Sequence, residues 1–148
     1  MIRFIVDASV VAKWFVLETG TPDAIKLRDV TLLAPDLIIS ECANILWKKV
    51  RRGEATPIQA HLAAEILERS GMDLRPSALL VRAALRLSLN LDHPAYDCFY
   101  LALAEQEKCP FVTADRKLVN KVRRTAVAGI VTLALDEAAS QVRSTLAA

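Results

Sequence analysis

The chain has 148 residues, 53% hydrophobic, 24% charged and 5% aromatic, with 19 Lys and Arg against 17 Asp and Glu for a formal net charge of +2. By area scaling such a chain buries roughly two thirds of the surface its unfolded form exposes, so one compact soluble domain over residues 1–148 is expected and disorder is excluded. A near-neutral total excludes a bulk positive field as an argument for nucleic acid, and any such argument rests on where the charges sit.

Cys42, Cys98 and Cys109 form an odd set with no CxxC spacing, set among apolar residues as small buried hydrophobes, which fits a reducing cytosol. The opening run MIRFIVDASVVAKWF has a cation and an apolar stretch, but Asp7 and Lys13 interrupt it, so a strand and a helix are expected there and not a signal peptide. Arg82 and Arg86 break the apolar stretch from Ala78 to Leu91, and nothing approaches the ~20 residues of a membrane span.

Ile2 to Val6, rich in β-branched residues, predicts a strand buried on both faces, with Asp7 at its C-terminal tip. Helical spacing covers Ala8 to Phe15, a loop carries Gly20 and Pro22, and a second helical stretch runs from Asp23 to about Val30. Leu32 to Ala34 reads as a short strand. Pro35 and Asp36 open a helix that reaches Arg52 and is stopped by Gly53. Thr56 and Pro57 open another that reaches Ser70, with Gly71 behind it. Met72 to Arg75 reads as a strand, Ser77 to Leu89 as a helix with Arg82 and Arg86 on its wet side, and Asp92, His93 and Pro94 start a helix through Glu107. Cys109 to Thr113 predicts a strand, Arg116 to Arg124 a helix, Gly129 to Leu133 a last strand, and residues 134–148 a helical extension with a frayed end. The alternation predicts an α/β domain of three layers, α/β/α, around a mostly parallel sheet of about four or five short strands.

In open α/β sheets the functional crevice lies beyond the carboxyl ends of the strands. Asp7 follows FIV there, and Asp115 follows FVT after one alanine. Singly, each reads as the N-cap of the next helix, and Asp97 as a first-turn acid that complements a helix macrodipole. Glu41 lies mid-helix in LIISECANIL, on the row Leu37, Glu41, Ile45, between apolar neighbours. An unpaired charge is costly in that setting, so Glu41 takes either a lysine partner or a cation. If the four acids converge, their repulsion raises the pKa values of the set and calls for a cation. All-oxygen ligation suits Mg²⁺ or Mn²⁺, whereas zinc calls for His and Cys ligands that are not clustered here. Metal clamped by carboxylates is the usual machinery for in-line hydrolysis of a phosphodiester. Ser9, two residues beyond Asp7, is close enough to help hold the metal.

The segments VDASVVAKWF, PDLIISECANILWKKVRRGE and AYDCFYLALAEQEKCPFVTADRKL resemble the three signature blocks of the PIN domain, in the form seen in VapC toxins of prokaryotic toxin/antitoxin pairs. The likeness runs from Ile2 to about Leu133. It implies a cytoplasmic Mg²⁺- or Mn²⁺-dependent endoribonuclease, usually a homodimer, silenced in a larger assembly by a VapB-like antitoxin whose tail enters the site. It implies Asp7, Glu41, Asp97 and Asp115 as the acids that hold the metal and carry catalysis, with the Thr113 hydroxyl supporting them. Thr56 to Leu91 and the residues after Leu133 match only in helical period, and no side-chain role carries over there.

Lys48 and Arg52 continue the Glu41 side of their helix by two and three turns, as candidates to lead RNA toward the metal, although cations ahead of Gly53 also favour the helix C-terminus. Arg116 and Lys117 flank Asp115 and are better placed for phosphate; Lys121, Arg123 and Arg124 read as a solvated face. Trp14 and Trp47 read as core or subunit contacts, with the apolar surface near them expected to take the antitoxin. His61 and His93 offer no nearby acid or nucleophile pair, so a histidine base is disfavoured and His93 reads as part of a helix start. A ribonuclease H-like nuclease would need antiparallel strands after the first acid, and a haloacid dehalogenase-type phosphatase a second Asp where Ser9 stands. Nucleotide-binding glycine motifs are missing from the sequence. A catalytically silent PIN-like module that binds RNA or a partner is a further alternative, against which the presence of all four acids argues.

Overall fold

A run such as Phe4, Ile5, Val6 can bury both its faces only in the interior of a sheet, and the computed structural model, which describes residues 1–125 and 127–147, puts it there. Five strands, β1 (Arg3–Val6), β2 (Thr31–Pro35), β3 (Asp73–Arg75), β4 (Phe111–Thr113) and β5 (Thr132–Ala134), pair in parallel in the order β3-β2-β1-β4-β5. From β1 the chain steps outward through β2 and β3 on one side and later through β4 and β5 on the other. Such a reversal opens a crevice at the carboxyl ends of the two central strands, here β1 and β4.

Among the described residues the strands alternate with eight α-helices: α1 (Ala8–Val11), α2 (Thr21–Lys26), α3 (Leu37–Arg51), α4 (Pro57–Glu68), α5 (Val81–Leu91), α6 (Ala95–Glu107), α7 (Arg116–Thr125) and α8 (Leu135–Leu146). Helix α6 supplies six buried residues, among them Tyr100, Leu101 and Leu103, and packs on β1, β2 and β4 with α5 outside it. Helix α8 packs on β4, β5 and α2 through Leu135, Ala138, Ala139 and Val142. The layers are those expected from the sequence. Helix α4 opens on a reciprocal cap, with the Thr56 hydroxyl accepting the Gln59 amide and the Gln59 side chain accepting the Thr56 amide. Gly53 follows α3 with φ +73, a conformation that a side chain would strain.

Several boundaries differ from expectation for local reasons. Pro35 ends β2 instead of opening α3, and the ladder goes on one residue further through the Asp36 amide to the Arg75 carbonyl at 2.8 Å. The helix after Asp7 is a single turn that tightens into a 3-10 turn at Ala12–Trp14. The last strand starts at Thr132 and not at Gly129, because Val127–Gly129 coils into a 3-10 turn and Gly129 has φ +67, which no strand accommodates. Ala148, the tip of the expected frayed end, lies outside the described residues. The described residues contain no helix long and apolar enough to cross a membrane.

Candidate active site at the carboxyl ends of the central strands

Asp7 leaves β1 in extended conformation and caps α1, its Oδ1 accepting the Val10 amide at 3.3 Å. The Ser9 hydroxyl donates to the same oxygen at 2.5 Å, and the Thr113 hydroxyl, from the tip of β4, donates to Oδ2 at 2.6 Å. Those hydroxyls are themselves anchored, Ser9 Oγ by the Ala114 amide and Thr113 Oγ1 by the Asp115 amide, each at 3.1 Å. The first acid is thus locked by the two strand tips that flank the crevice. Burial pushes its carboxyl from 3.8 up to about 6, against the pull of those hydrogen bonds, and the charge of Asp97 adds to the rise.

Glu41, in the middle of α3, accepts the Tyr100 hydroxyl at 2.5 Å. Tyr100 is fully buried, stacks on Phe111, and lies three residues after Asp97 on the same side of α6. Burial raises the Glu41 carboxyl; the tyrosine bond opposes this and the Asp97 charge adds to it. The Tyr100 phenol is itself held far above its ordinary range, by burial first and by Glu41 next. Asp7, Glu41 and Asp97 therefore share one electrostatic neighbourhood, since the third raises the carboxyls of the other two. The alternative of a lysine partner for Glu41 is replaced by a tyrosine.

Asp115 stands at the same crevice but turns its Oδ1 onto the start of α7, where the amides of Lys117 and Leu118 donate to it at 3.0 and 3.2 Å. Its cap reading and its place beside Thr113 both hold. Among the described residues no three His, Cys, Asp or Glu side chains stand close enough together to hold one ion as they lie. The fit to a divalent cation rests on the chemistry of the donors: oxygen ligands only, two of them with carboxyls raised by burial and by a third acid's charge, the disfavoured charge that a hard cation relieves.

Lys48 and Arg52 line a cleft of about 270 Å³ together with Ser9, Lys13, Glu18 and Lys49, so the basic end of α3 opens beside the Asp7 corner. Within it Glu18 bridges two lysines, Lys13 at 3.2 Å and Lys49 at 2.7 Å. On the other side, Arg116 pairs with Asp136 at 2.9 Å, while Lys117 is exposed.

Residues 4–124 match the family model of the PIN domain. The chain belongs to the PIN-domain family. It is similar to Ribonuclease VapC3 of Pyrobaculum aerophilum, 32% identical over 123 residues that cover 80% of this chain and 94% of the relative. Among solved structures, the P. aerophilum protein PAE2754 superposes with a TM-score of 0.70 at 20% identity, covering 97% of this chain and 96% of that one. Mycobacterium tuberculosis VapC20, a sarcin-ricin loop cleaving toxin, superposes with a TM-score of 0.58 at 16% identity over 75% of this chain and 87% of that one.

Two expectations for this PIN domain are corrected. His93 does have an acid partner, with Nε2 2.7 Å from Asp97 Oδ2, and the spacing of four residues is the sequence signal for it. Of the three cations read as a solvated face, Arg123 and Arg124 are exposed, Arg123 pairing with Glu137 and the Thr132 carbonyl, but Lys121 is half-buried and reaches the Asp92 carbonyl at 2.9 Å and His93. Of the two tryptophans read as core or subunit contacts, Trp14 packs against the core and donates its indole hydrogen to the Ala24 carbonyl at 2.8 Å, and Trp47 is 55% exposed. Tyr100 and the Glu18 bridge were not anticipated; the position of Tyr100 one turn beyond Asp97 was the signal for the first, and nothing local signals the second.

Proposed function

We propose that this PIN domain is a Mg²⁺- or Mn²⁺-dependent endoribonuclease and the toxin of a VapBC-type pair. The observation that carries the reading is the shared neighbourhood of Asp7, Glu41 and Asp97 at the topological switch point, with Asp115 beside it. The 32% identity to a VapC ribonuclease over most of both chains supports the substrate class. Asp7, Glu41, Asp97 and Asp115 would hold the ion, and Ser9 and Thr113 orient Asp7 toward it. A divalent cation held there lowers the pKa of a water and neutralises charge on the phosphate.

The chain's own residues supply the rest. Lys48 and Arg52 draw the RNA backbone along the α3 cleft toward Ser9, with Arg116 and Lys117 as candidates on the far side. Water oxygen bonds to phosphorus, the bond from phosphorus to the 3′ oxygen breaks, and that oxygen leaves as a hydroxyl, giving 5′-phosphate and 3′-hydroxyl ends. Residues 1–148 act as one domain, in the cytoplasm, as a homodimer that a VapB-like antitoxin silences by binding beside the site. Incubating total RNA with the purified protein tests the reading: cleavage in Mn²⁺, none in EDTA, and none with Asp7→Asn or Asp97→Asn supports it. Undiminished cleavage in EDTA or in either variant overturns it.

A further inference from the structure

Helix α5 ends at Asp92 in the left-handed conformation, φ +50, which turns the chain so that His93 stands ahead of α6. His93 is then held at every polar atom. Its amide donates to the Ser88 carbonyl at 3.1 Å, and its carbonyl accepts the Ser88 hydroxyl. On the ring, Nε2 lies 2.7 Å from Asp97 Oδ2 and Nδ1 lies 3.3 Å from Lys121 Nζ. Lys121 is anchored by its bond to the Asp92 carbonyl, and only 17% of the His93 side chain is exposed.

The contacts select the ring's tautomer. An ammonium has hydrogens to donate and no lone pair, so in the neutral ring Nδ1 accepts from Lys121 and the ring hydrogen sits on Nε2, where it donates to Asp97. A hydrogen on Nδ1 would set two donors against each other.

We infer that Lys121 and His93 are positioning residues that act through Asp97. Lys121 fixes the Nε2–H tautomer, His93 ties down Asp97 Oδ2, and Oδ1 is left as the oxygen that meets the cation in one orientation. The inference rests on the reading of Asp97 as a metal ligand. Partners of this kind behind a ligating group typically carry about 10–100-fold in metal affinity or activity.

The test compares His93→Gln, His93→Asn, His93→Ala and Lys121→Met. A glutamine amide reaches the place of Nε2 and donates to Asp97, whereas an asparagine amide reaches only the place of Nδ1. Mn²⁺ titration followed by electron paramagnetic resonance is expected to show affinity about 10–100-fold weaker in the Ala and Asn variants and within a few-fold of wild type in the Gln variant, with kcat following and KM for RNA unmoved. Nitrogen NMR of the metal-free protein is expected to show a single Nε2–H tautomer in wild type and a mixture in Lys121→Met. Wild-type affinity in His93→Ala, a Gln variant as weak as the Asn variant, or a hydrogen on Nδ1 in the wild type each overturns the inference while leaving the nuclease reading in place. The tautomer is read on the wild type, so a variant that fails to fold does not remove the test. A wild-type protein that neither binds Mn²⁺ nor cleaves RNA overturns the nuclease reading and takes this inference with it.

Discussion

Replacing Asp7 with asparagine, in chelator and away from any substrate, should make the protein more stable, and more so at high pH. The Asp7 carboxyl titrates at about 6 in the folded chain against 3.8 as its ordinary value, with burial as the main cause. Between those values the unfolded chain has released the proton and the folded one has kept it, so ionisation weighs against the fold. Stability from this group is full below 3.8 and is lost as the pH rises through about 6. The complete loss is about 3 kcal/mol on the linkage scale. Asparagine escapes it but presents an amide nitrogen where Oδ2 accepted the Thr113 hydroxyl, and turning that hydroxyl round costs about 1 kcal/mol. The expected net gain at about pH 8 is ~2 kcal/mol, or about 4–8 °C in Tm for a chain of this length. At about pH 5 the gain should be smaller by about 1.4 kcal/mol, because the wild type there still holds its proton. Urea unfolding followed by circular dichroism at the two pH values measures both quantities. A gain that does not change with pH, or a loss at both, refutes the reasoning. Added Mg²⁺ should narrow the gap by stabilising the wild type alone.

Tyr100→Phe removes the donor to Glu41 but keeps the ring stacked on Phe111, so the fold should survive while divalent-cation affinity falls about 10-fold; isothermal titration calorimetry would show it, and unchanged affinity would remove the tyrosine from the site. Lys48→Ala and Arg52→Ala should each lower the slope of log affinity for RNA against log salt by about 1, measured by fluorescence anisotropy in Ca²⁺ or EDTA. An unchanged slope would take the α3 cleft off the RNA path.

The parts of the molecule that were legible in the sequence are those where one local rule decides. The apolar run at Phe4 to Val6 could only be an interior strand, Thr56 followed by Pro57 marks a helix start, and Gly53 a helix end. The acids after the strand tips were visible because a strand ends where its apolar run ends, and both aspartates turn out to cap the next helix as well as to border the crevice. What stayed hidden depends on tertiary approach. Glu41 and Tyr100 are 59 residues apart, and nothing in α3 announces that its mid-helix acid faces a phenol and not a lysine. Lys121 looked like one cation among several on α7, and only the return of the α5–α6 turn brings His93 to it. The last strand, expected from Gly129, starts only at Thr132 because that glycine takes a positive φ.

The chemistry of the cut ends tests the central claim most directly. Hydrolysis by water activated at carboxylate-held metal leaves 5′-phosphate and 3′-hydroxyl ends, whereas attack by the neighbouring ribose 2′-hydroxyl needs no metal and leaves a 2′,3′-cyclic phosphate with a 5′-hydroxyl. Ligating adaptors specific for each end to RNA cut by the wild-type protein in Mn²⁺ should recover 5′-phosphate fragments, with the same reaction in EDTA yielding none. Recovery of 5′-hydroxyl fragments, unaffected by EDTA, would contradict it.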